Sequence, residues 1–487
     1  MKKFNSYLIL CSLSAAMIFF TGCGEDEEDI FDTKPVAAFS VNAEEVEVGD
    51  VIIFTDLSYD QNGTIESWLW DFGDGSTSTE QSPTHEYVEG EYMVTLVVTD
   101  NSGKLSENDF SKTITVLEPS TVTIEPTIIW DFQLPAKIED SSPAISSDGT
   151  VYIGCRGKEG LANVFAVKDG VEQWQFETGD IVRSAPAIDE AGNIYLGSYD
   201  NHLYGFDPQG NVIMKFDMGN NAKYSGPVFG LNGEIYIGCQ TDELIAVDKG
   251  GNELWRYDTG GDVNSTPAVG SDGSIYVGST GDLFFAFNPD GSVKWSKEFG
   301  SWTATATALG EDGTVYFAGE GNNLDATFGG VLIAYEPNTG NEKWRTGLTG
   351  KVNQGGPAIS PDGVLYVGGH DQKLFAFNSE NGSLLWEYEV NGNILAVPAI
   401  DNDGNIYITD DSGFLHVIAP DGTKKWKEIQ LGVKIWSSPT IGPNGTIYIA
   451  ADQADDTGVL YALQTNATGL AEGGWPMRSK NERHTGR

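Results

Sequence analysis

One unit of about 40 residues recurs from Thr127 to the end of the chain, and this repeat limits the possible folds more than any other feature. The template of the unit is Pro-Ala-Ile or a variant of it, a pair such as Asp-Gly or Asn-Gly, an apolar strand with a central Tyr, a second apolar run and a Trp. The Tyr positions are Tyr152, Tyr195, Tyr236, Tyr276, Tyr316, Tyr366, Tyr407 and Tyr448. Four short strands per unit at this period are typical of β-propeller blades.

Eight Tyr positions predict eight blades, and the Trp residues indicate how the ring closes. Met214 takes the place of Trp in the second unit, and the fourth strands of six others carry Trp174, Trp255, Trp295, Trp344, Trp386 and Trp426. The eighth unit lacks a fourth strand, whereas an Ile-Ile-Trp-Asp-Phe run at residues 128–132 precedes the first complete unit. We therefore predict that residues 127–487 form an all-β, eight-bladed propeller of four-stranded blades, whose last blade is closed by the strand containing Trp130.

Residues 35–118 form a smaller predicted β domain, joined to the repeats by a linker at residues 119–126. It contains a Trp-Asp-Phe-Gly-Asp-Gly run at residues 70–75 and His-Glu-Tyr at residues 85–87. Trp70 and Phe72 are expected to alternate into a core, and the Gly-Asp-Gly run to form a turn. The motif closely resembles the PKD domain, which implies an immunoglobulin-type β-sandwich that acts as a spacer or adhesion module without chemistry of its own.

The repeats resemble the pyrroloquinoline-quinone-like propeller family, in passages such as residues 334–344 and the terminal Gly-Trp-Pro-Met at residues 474–477. For the quinoprotein dehydrogenases of this fold, the resemblance implies a quinone beside a disulfide of adjacent Cys residues, stacked on Trp, with Glu, Asn and Asp around calcium. The chain has no adjacent Cys pair. We therefore expect neither this quinone nor another cofactor. Calcium stays an alternative for Asp-rich hairpins such as residues 401–405, but their recurrence in the repeats favours turn formation.

Residues 1–22 have the basic start and apolar run of a bacterial signal peptide. The Phe-Thr-Gly-Cys ending at residues 20–23 resembles a lipobox, which implies a lipid on Cys23; an ordinary secretory signal is the alternative. An acidic run follows, and residues 23–34 are predicted to be a flexible tether. The run resembles the surface-export signal of Bacteroidetes lipoproteins. We expect an outer-membrane lipoprotein at the cell surface, with the periplasmic face as the alternative.

The formal net charge of −43 excludes nucleic-acid partners, because these need a basic surface. It would also repel anionic lipids, so that only the lipid anchor would hold the protein on a membrane. Cys155 and Cys239 are predicted to be buried strand residues rather than a disulfide. No metal site and no catalytic residue are predicted, because no motif for hydrolysis occurs and no metal-ligand spacing exists among His85, His202, His370, His416 and His484.

The positions that vary inside the repeat are the candidate site. The residues three places before each Pro-equivalent are Asp140, Arg183, Tyr224, Asn264, Ala304, Gln354, Leu395 and Trp436. These positions lead into the innermost strand, so we expect them to ring one mouth of the central channel. Asp140, Arg183, Tyr224, Asn264, Gln354 and Trp436 are the predicted ligand-binding residues, because they combine charges, amides and stacking surfaces. Tolerated loop variation is the alternative, and a longer hairpin at residues 319–330 is a second candidate, as a rim or lid.

These features predict a monomeric cell-envelope protein that acts by binding, adhesion or scaffolding, with the propeller recognising a polysaccharide or a protein partner. A general resemblance to the propeller lipoprotein of the outer-membrane barrel-assembly machinery supports the scaffold version, although the PKD-like domain departs from it. The alternative is an enzyme with its site at the channel mouth, either a quinoprotein-like oxidoreductase or a carbohydrate-active enzyme.

Overall fold

The structure is a computed structural model that describes residues 33–48, 50–106, 110–117, 126–157, 160–299, 304–321, 329–352 and 354–487. The predicted signal peptide, Cys23, most of the tether and most of the linker lie outside these ranges. The chain divides into two compact units, Met1–Val122 and Thr123–Arg487. All regular structure in the described ranges is β, and they contain no helix of the length and hydropathy needed to cross a membrane.

The first unit is a two-sheet sandwich. Its strands are β1 (Phe39–Val41), β2 (Glu45–Glu47), β3 (Ile52–Asp56), β4 (Ile65–Asp71), β5 (Thr77–Ser78), β6 (Thr84–His85), β7 (Gly90–Asp100) and β8 (Phe110–Leu117). One sheet has the order β1-β3-β6, and the other has the order β2-β8-β7-β4-β5. The strands alternate apolar and polar residues because one face of each sheet packs against the other sheet.

The Trp-Asp-Phe-Gly-Asp-Gly run has a structural role in this sandwich. Trp70 and Phe72 are buried in its core, as predicted. The turn that follows places Gly73 at φ 81°, and Asp74 in this turn accepts hydrogen bonds from Ser76 and from His85 Nε2, the latter at 2.7 Å. Burial acts to raise the pKa of Asp74, but these hydrogen bonds outweigh burial and lower the pKa to about 2.

In its described residues the second unit contains eight four-stranded sheets, which are numbered as blades 1 to 8 in chain order. Blades 1 and 2 comprise β10 (Ala144–Ile145), β11 (Val151–Gly154), β12 (Val164–Lys168), β13 (Val171–Phe176), β14 (Ala187–Ile188), β15 (Ile194–Gly197), β16 (His202–Phe206) and β17 (Val212–Asp217). Blades 3 and 4 comprise β18 (Val228–Phe229), β19 (Ile235–Gly238), β20 (Glu243–Val247), β21 (Glu253–Asp258), β22 (Ala268–Val269), β23 (Ile275–Gly278), β24 (Leu283–Phe287) and β25 (Val293–Glu298).

Blades 5 and 6 comprise β26 (Ala308–Leu309), β27 (Val315–Glu320), β28 (Gly330–Tyr335), β29 (Glu342–Leu348), β30 (Ala358–Ile359), β31 (Val364–Gly368), β32 (Lys373–Asn378) and β33 (Leu384–Glu389). Blades 7 and 8 comprise β34 (Ala399–Ile400), β35 (Ile406–Thr409), β36 (Phe414–Ile418), β37 (Ile429–Gln430), β38 (Thr440–Ile441), β39 (Ile447–Asp452), β40 (Gly458–Gln464) and, from the start of the unit, β9 (Thr127–Leu134). Each Tyr anchor lies in the second strand and pairs with the Ala or Thr that begins the inner strand, or with Val228 in blade 3.

The ring closes where the sequence predicts. β9 pairs antiparallel with β40, with Trp130 opposite Ala462, and so completes blade 8. Blade 8 also bonds directly to blade 1, because the backbone N–H of Ser438 donates to Ser142 Oγ at 2.9 Å and Thr440 Oγ1 donates to the carbonyl of Pro143 at 2.7 Å. The two ends of the repeat array are therefore joined both at the outer strand and at the inner strand.

Neighbouring blades are held by the aromatic residue of the outer strand. Trp255 of blade 3 donates its indole N–H to the carbonyl of Pro289 in blade 4 at 2.9 Å. Its ring lies so close to Gly291 that a Cβ there would be 2.6 Å from Trp255 Cδ2, and Gly291 also has φ 84°. The same hydrogen bond recurs from Trp174, Trp295, Trp344 and Trp386 to the blade that follows each of them.

Two positions of this series differ from the simple repeat. Met214 of blade 2 packs on Gly251 where Trp is usual. The expectation that Trp426 lies in the fourth strand of blade 7 is wrong, since β37 begins three residues later, at Ile429. A turn closed by the bridge between Ile418 and Lys424 precedes Trp426. Its indole is buried between blades 7 and 8 without joining the strand ladder.

Replacing Gly291 by Ala tests this contact between blades. The new methyl group meets the Trp255 ring on a backbone that favours glycine, so we expect the propeller to lose about 3 kcal/mol of unfolding free energy. The control is Gly260→Ala, because Gly260 has φ 75° but no atom within 4 Å of the position of a Cβ; the backbone cost alone is about 1 kcal/mol. Urea unfolding of both variants measures the difference, and equal losses would contradict the assigned role of the Trp255 contact.

Candidate binding site

The C-terminal residues 470–487, called the tail segment here, cover one end of the propeller channel. The inner strands of six blades donate a backbone N–H to its carbonyl groups at 2.8–3.0 Å. These pairs are Ile359 to Trp475, Ile400 to Pro476, Ile145 to Glu482, Ile188 to Arg483, Phe229 to Thr485 and Val269 to Gly486. Each donor is the last residue of its inner strand, so the opposite mouth of the channel lies beyond the amino ends of these strands.

The first ring lies toward that opposite mouth, before the inner strands begin. It consists of the eight positions singled out in the sequence: Asp140, Arg183, Tyr224, Asn264, Ala304, Gln354, Leu395 and Trp436. Asp140, Asn264, Ala304 and Leu395 are buried, whereas the other four are partly exposed. Only the partly exposed members present surface to an incoming ligand without rearrangement.

Arg183 is the centre of the contacts in the first ring. It forms an ion pair with Glu139, and its Nε lies 3.7 Å from Asp140 Oδ2. Its guanidinium also lies 5.6 Å from the ring centre of Tyr199 and 5.7 Å from that of Tyr224. Burial acts to lower the pKa of Arg183, but the charges of Asp140 and Glu139 outweigh burial and raise it. The side chain is thus fixed as a cation between two aromatic rings and two carboxyl groups.

Glu139 has a strained backbone that its neighbours hold in place. Its φ is 58°, a value that costs a non-glycine residue about 1 kcal/mol or more. Asp452 Oδ1 accepts the backbone N–H groups of Ile138 and Glu139 at 2.8 and 3.4 Å. The Glu139 carboxyl group, only 8% exposed, faces both Arg183 and Arg156. This turn directs two adjacent acidic residues toward the same cation.

The remaining predicted ligand-binding residues differ in whether they contact the residues around Arg183. The Gln354 side chain is close enough to the Tyr224 hydroxyl to act on its pKa, which burial raises. Trp436 contacts a different cation, since Lys434 Nζ lies 2.9 Å from the centre of its ring, and its buried indole N–H has no partner among the described residues. Asn264 is buried with an unpartnered side-chain oxygen. The structure therefore brings Asp140, Arg183, Tyr224 and Gln354 together, whereas no contact joins Asn264 or Trp436 to Arg183.

A second ring at the same mouth was missed by the sequence reasoning. It lies four residues after each Tyr anchor, at Arg156, Tyr199, Gln240, Thr280, Glu320, His370, Asp411 and Asp452. Among the described residues, its backbone N–H donates in seven blades to a carbonyl two or three residues before a first-ring position, for example from Tyr199 to Ile181 at 2.8 Å. The signal was present in the sequence, because this position is polar in every repeat and most of the residues just before it are small. The two rings together form the candidate site.

The remaining predicted features lie elsewhere. Cys155 and Cys239 are buried free thiols, each one residue beyond the end of its strand rather than within it. The longer hairpin of blade 5 joins β27 to β28, and its central residues 322–328 lie outside the described ranges. A lid at this place stays a prediction.

The residues around the axis do not fit pyrroloquinoline quinone with calcium. Glu139 and Asp140 face Arg183, and the positive charges of Arg478 and Lys434 also lower the pKa of Asp140. Calcium needs several oxygen ligands around it, whereas cations surround these two carboxyl groups. The two free thiols belong to different blades and cannot supply the adjacent-Cys disulfide. No group of three or more His, Cys, Asp or Glu residues in the described ranges is arranged to hold a metal ion.

The comparisons with known proteins define the class of each unit. Residues 32–116 match the PKD domain family. Residues 240–327 and 328–468 match the family described as outer membrane protein assembly factor BamB. The chain is therefore a PKD domain followed by a propeller of PQQ- and BamB-like repeats, and both resemblances noted in the sequence are confirmed.

Individual relatives agree with this assignment. A microbial collagenase of Vibrio alginolyticus is 54% identical over 71 residues, which is 14% of this chain and 9% of the collagenase. The chain spans a tenth or less of the length of the curated relatives that it matches. BamB from Moraxella catarrhalis superposes with a TM-score of 0.55 at 16% identity, over 69% of this chain and 99% of BamB. Quinohemoprotein alcohol dehydrogenase from Comamonas testosteroni gives 0.56 at 12% identity, over 72% of this chain and 78% of the enzyme. At these identities the structures show the fold alone.

Replacing Arg183 by Met tests whether this cation holds the site together. The change leaves Glu139 and Asp140 buried without their main partner, so we expect a loss of about 3 kcal/mol in unfolding free energy. Arg256→Met is the matched control, because Arg256 pairs with Glu243 and Glu253 on the more exposed outer strand and should cost under about 1 kcal/mol. Urea unfolding measures both losses, and similar values for the two variants would count against a central role for Arg183.

His484 in the tail segment predicts a loss of stability in acid. Burial lowers its pKa to about 3, and its Nδ1 bonds the carbonyl of Pro186 at 2.9 Å. Below pH ~6.5 His484 binds a proton in the unfolded chain but not in the folded one. The contribution of His484 to the unfolding free energy is therefore full above that pH, and it falls toward pH 3 by up to about 1.4 kcal/mol per pH unit. Asp140 changes the unfolding free energy in the opposite direction as the pH falls, because burial raises its pKa to about 7. The effect of His484 is therefore measured by comparing the wild type with a variant of this residue.

The variant is His484→Asn, whose amide N–H can also donate to Pro186. We expect its unfolding free energy to fall less steeply than that of the wild type between pH 6.5 and 4, as measured by urea unfolding at several pH values. Parallel curves for the wild type and His484→Asn would rule out His484 as a source of acid sensitivity.

Proposed function

We propose that this protein is a binding or scaffold protein of the cell envelope that recognises a protein partner at the two-ring mouth of its propeller. The observation that supports this most is the division between the two ends of the channel. The tail segment covers one end through backbone hydrogen bonds, whereas the other end presents side chains that differ from blade to blade. Variation at one mouth of a repeated frame suits selective recognition.

The chemistry of the mouth supports binding by polar and aromatic side chains. Arg183, Tyr199 and Tyr224 form a fixed cation and aromatic group, and residues of these types contribute strongly to protein interfaces. The match to the BamB family favours a protein partner, because the family is described as an assembly factor for outer membrane proteins. The same match is compatible with an outer-membrane location, to which a lipid on Cys23 would tether the chain.

A polysaccharide is the second candidate ligand. Trp436 supports it, since its side chain is partly exposed at the mouth and an aromatic ring of this kind can pack against a sugar ring. Catalysis is the less favoured alternative. The fold also occurs in the quinohemoprotein alcohol dehydrogenase, but Glu139 and Asp140, the two adjacent acids at the first ring, both face Arg183.

The test compares variants of the mouth with a variant remote from it. The chain from residue 24 onward, which keeps every described residue of both units, is screened against an envelope-protein extract by cross-linking and against a glycan array. We expect Trp436→Ala and Arg183→Ala to weaken the captured interaction at least about tenfold, a typical effect of losing a central contact residue. Arg256→Ala on the outer strand of blade 3 should bind as the wild type does.

The outcomes separate the candidates. A protein ligand lost in both mouth variants supports the proposal, and a glycan lost in them supports the second candidate. Ligands that bind both mouth variants as well as the wild type would place recognition elsewhere. Turnover of an alcohol in the presence of added quinone would overturn the binding role. Circular dichroism of each variant confirms that lost binding does not result from unfolding.

A further inference from the structure

The side chain of Arg478 reaches from the tail segment into the channel. Its backbone lies at the covered end, whereas its Nη2 donates to the backbone carbonyl of Tyr224 at 3.2 Å and to Thr266 Oγ1 at 3.1 Å. Tyr224 belongs to the first ring, and Thr266 follows the first-ring residue of blade 4 by two positions. The guanidinium thus lies between the two ends of the channel, beneath the mouth, and the residue is 9% exposed.

This buried cation lacks a counter-charge. Among the described residues Arg478 forms no ion pair, and Asp140 acts on it only from beyond contact distance. Burial lowers the pKa of Arg478 to about 10, which still leaves the group protonated at neutral pH. A buried charge without a compensating partner costs several kcal/mol, because the protein interior solvates it poorly.

Two hydrogen-bond donors at this place also lack acceptors. Arg478 Nε is buried and has no partner among the described residues. Thr266 Oγ1 accepts from both Arg478 Nη2 and the backbone N–H of Gly226, so the hydroxyl hydrogen remains available to donate. An uncompensated cation with unused N–H and O–H donors has the chemistry of an anion site.

We propose that Arg478 and Thr266 bind one small monovalent anion, of the size of chloride, inside the channel between the first ring and the tail segment. The anion neutralises the guanidinium and accepts from Nε and from the threonine hydroxyl. Because the tail segment supplies Arg478 and blade 4 supplies Thr266, the anion joins the C-terminus to the repeat array. This proposal goes beyond ligand recognition at the mouth and does not depend on it.

The direct test replaces chloride by bromide in crystals of the chain from residue 24 onward. We expect an anomalous bromide peak within about 3.5 Å of the Arg478 guanidinium, the distance of a charge-assisted contact to a large anion. The same measurement on Arg478→Met should show no peak there. A bridging water with no bromide in the wild type would overturn the proposal, and a peak that persists in Arg478→Met would show an adventitious ion only.

A second test measures stability in solution. Thermal unfolding is followed in sodium chloride and in sodium HEPES at equal sodium concentration and ionic strength, because sodium ions screen this acidic chain in both. We expect chloride to raise the midpoint by about 1–3 °C in the wild type and not in Arg478→Met. Arg483→Met, in the same tail segment, is the control and should keep the chloride effect.

Each result of this second test bears on the proposal. Equal midpoints of the wild type in the two salts would overturn it, as would a chloride effect of the same size in Arg478→Met. If Arg478→Met does not fold, the bromide measurement on the wild type decides the question alone.

Discussion

The packing of an outer-strand aromatic residue on the next blade is the contact on which this propeller depends most. The indole N–H bonds a carbonyl of the following blade, and the ring covers a glycine whose φ is positive and whose missing side chain makes the approach possible. A blade of four short strands cannot bury its own faces, so it is stable only between two neighbours. The apolar clusters accordingly span adjacent blades, as between Tyr195 of blade 2 and Ile237 of blade 3.

The same contact explains why the first strand of the unit matters. Trp130 supplies the aromatic residue of blade 8, and Gly170 of blade 1 lies where a Cβ would be 3.1 Å from it. Without β9 the last blade would lack both its fourth strand and its aromatic contact with blade 1. The inner hydrogen bonds from blade 8 to Ser142 and Pro143 join the same two blades near the axis.

The two ends of the channel use different kinds of interaction, and this difference supports the proposed functions. Backbone hydrogen bonds hold the tail segment, and they need only the repeated inner strands. Side chains shape the other mouth, and there the repeat is free to vary. Arg478 connects the ends, because its backbone belongs to the covered end and its guanidinium bonds a first-ring carbonyl. The tail segment therefore acts as part of the channel wall as well as its closure.

The sequence by itself determined the β-sandwich, the eight repeats, the closing strand and the first ring, because each of these follows from local spacing: a strand period, a turn pair or an offset from a Tyr or Pro. It also contained the signal for the second ring. Only the tertiary structure decided which side chains meet. Arg183 pairs with Glu139 of the preceding blade. The left-handed turn at Glu139 held by Asp452 and the entry of Arg478 into the channel join residues that are far apart in the chain. No local pattern encodes these last two contacts, since they arise only when the ring closes and brings the first blade, the last blade and the tail segment to one axis.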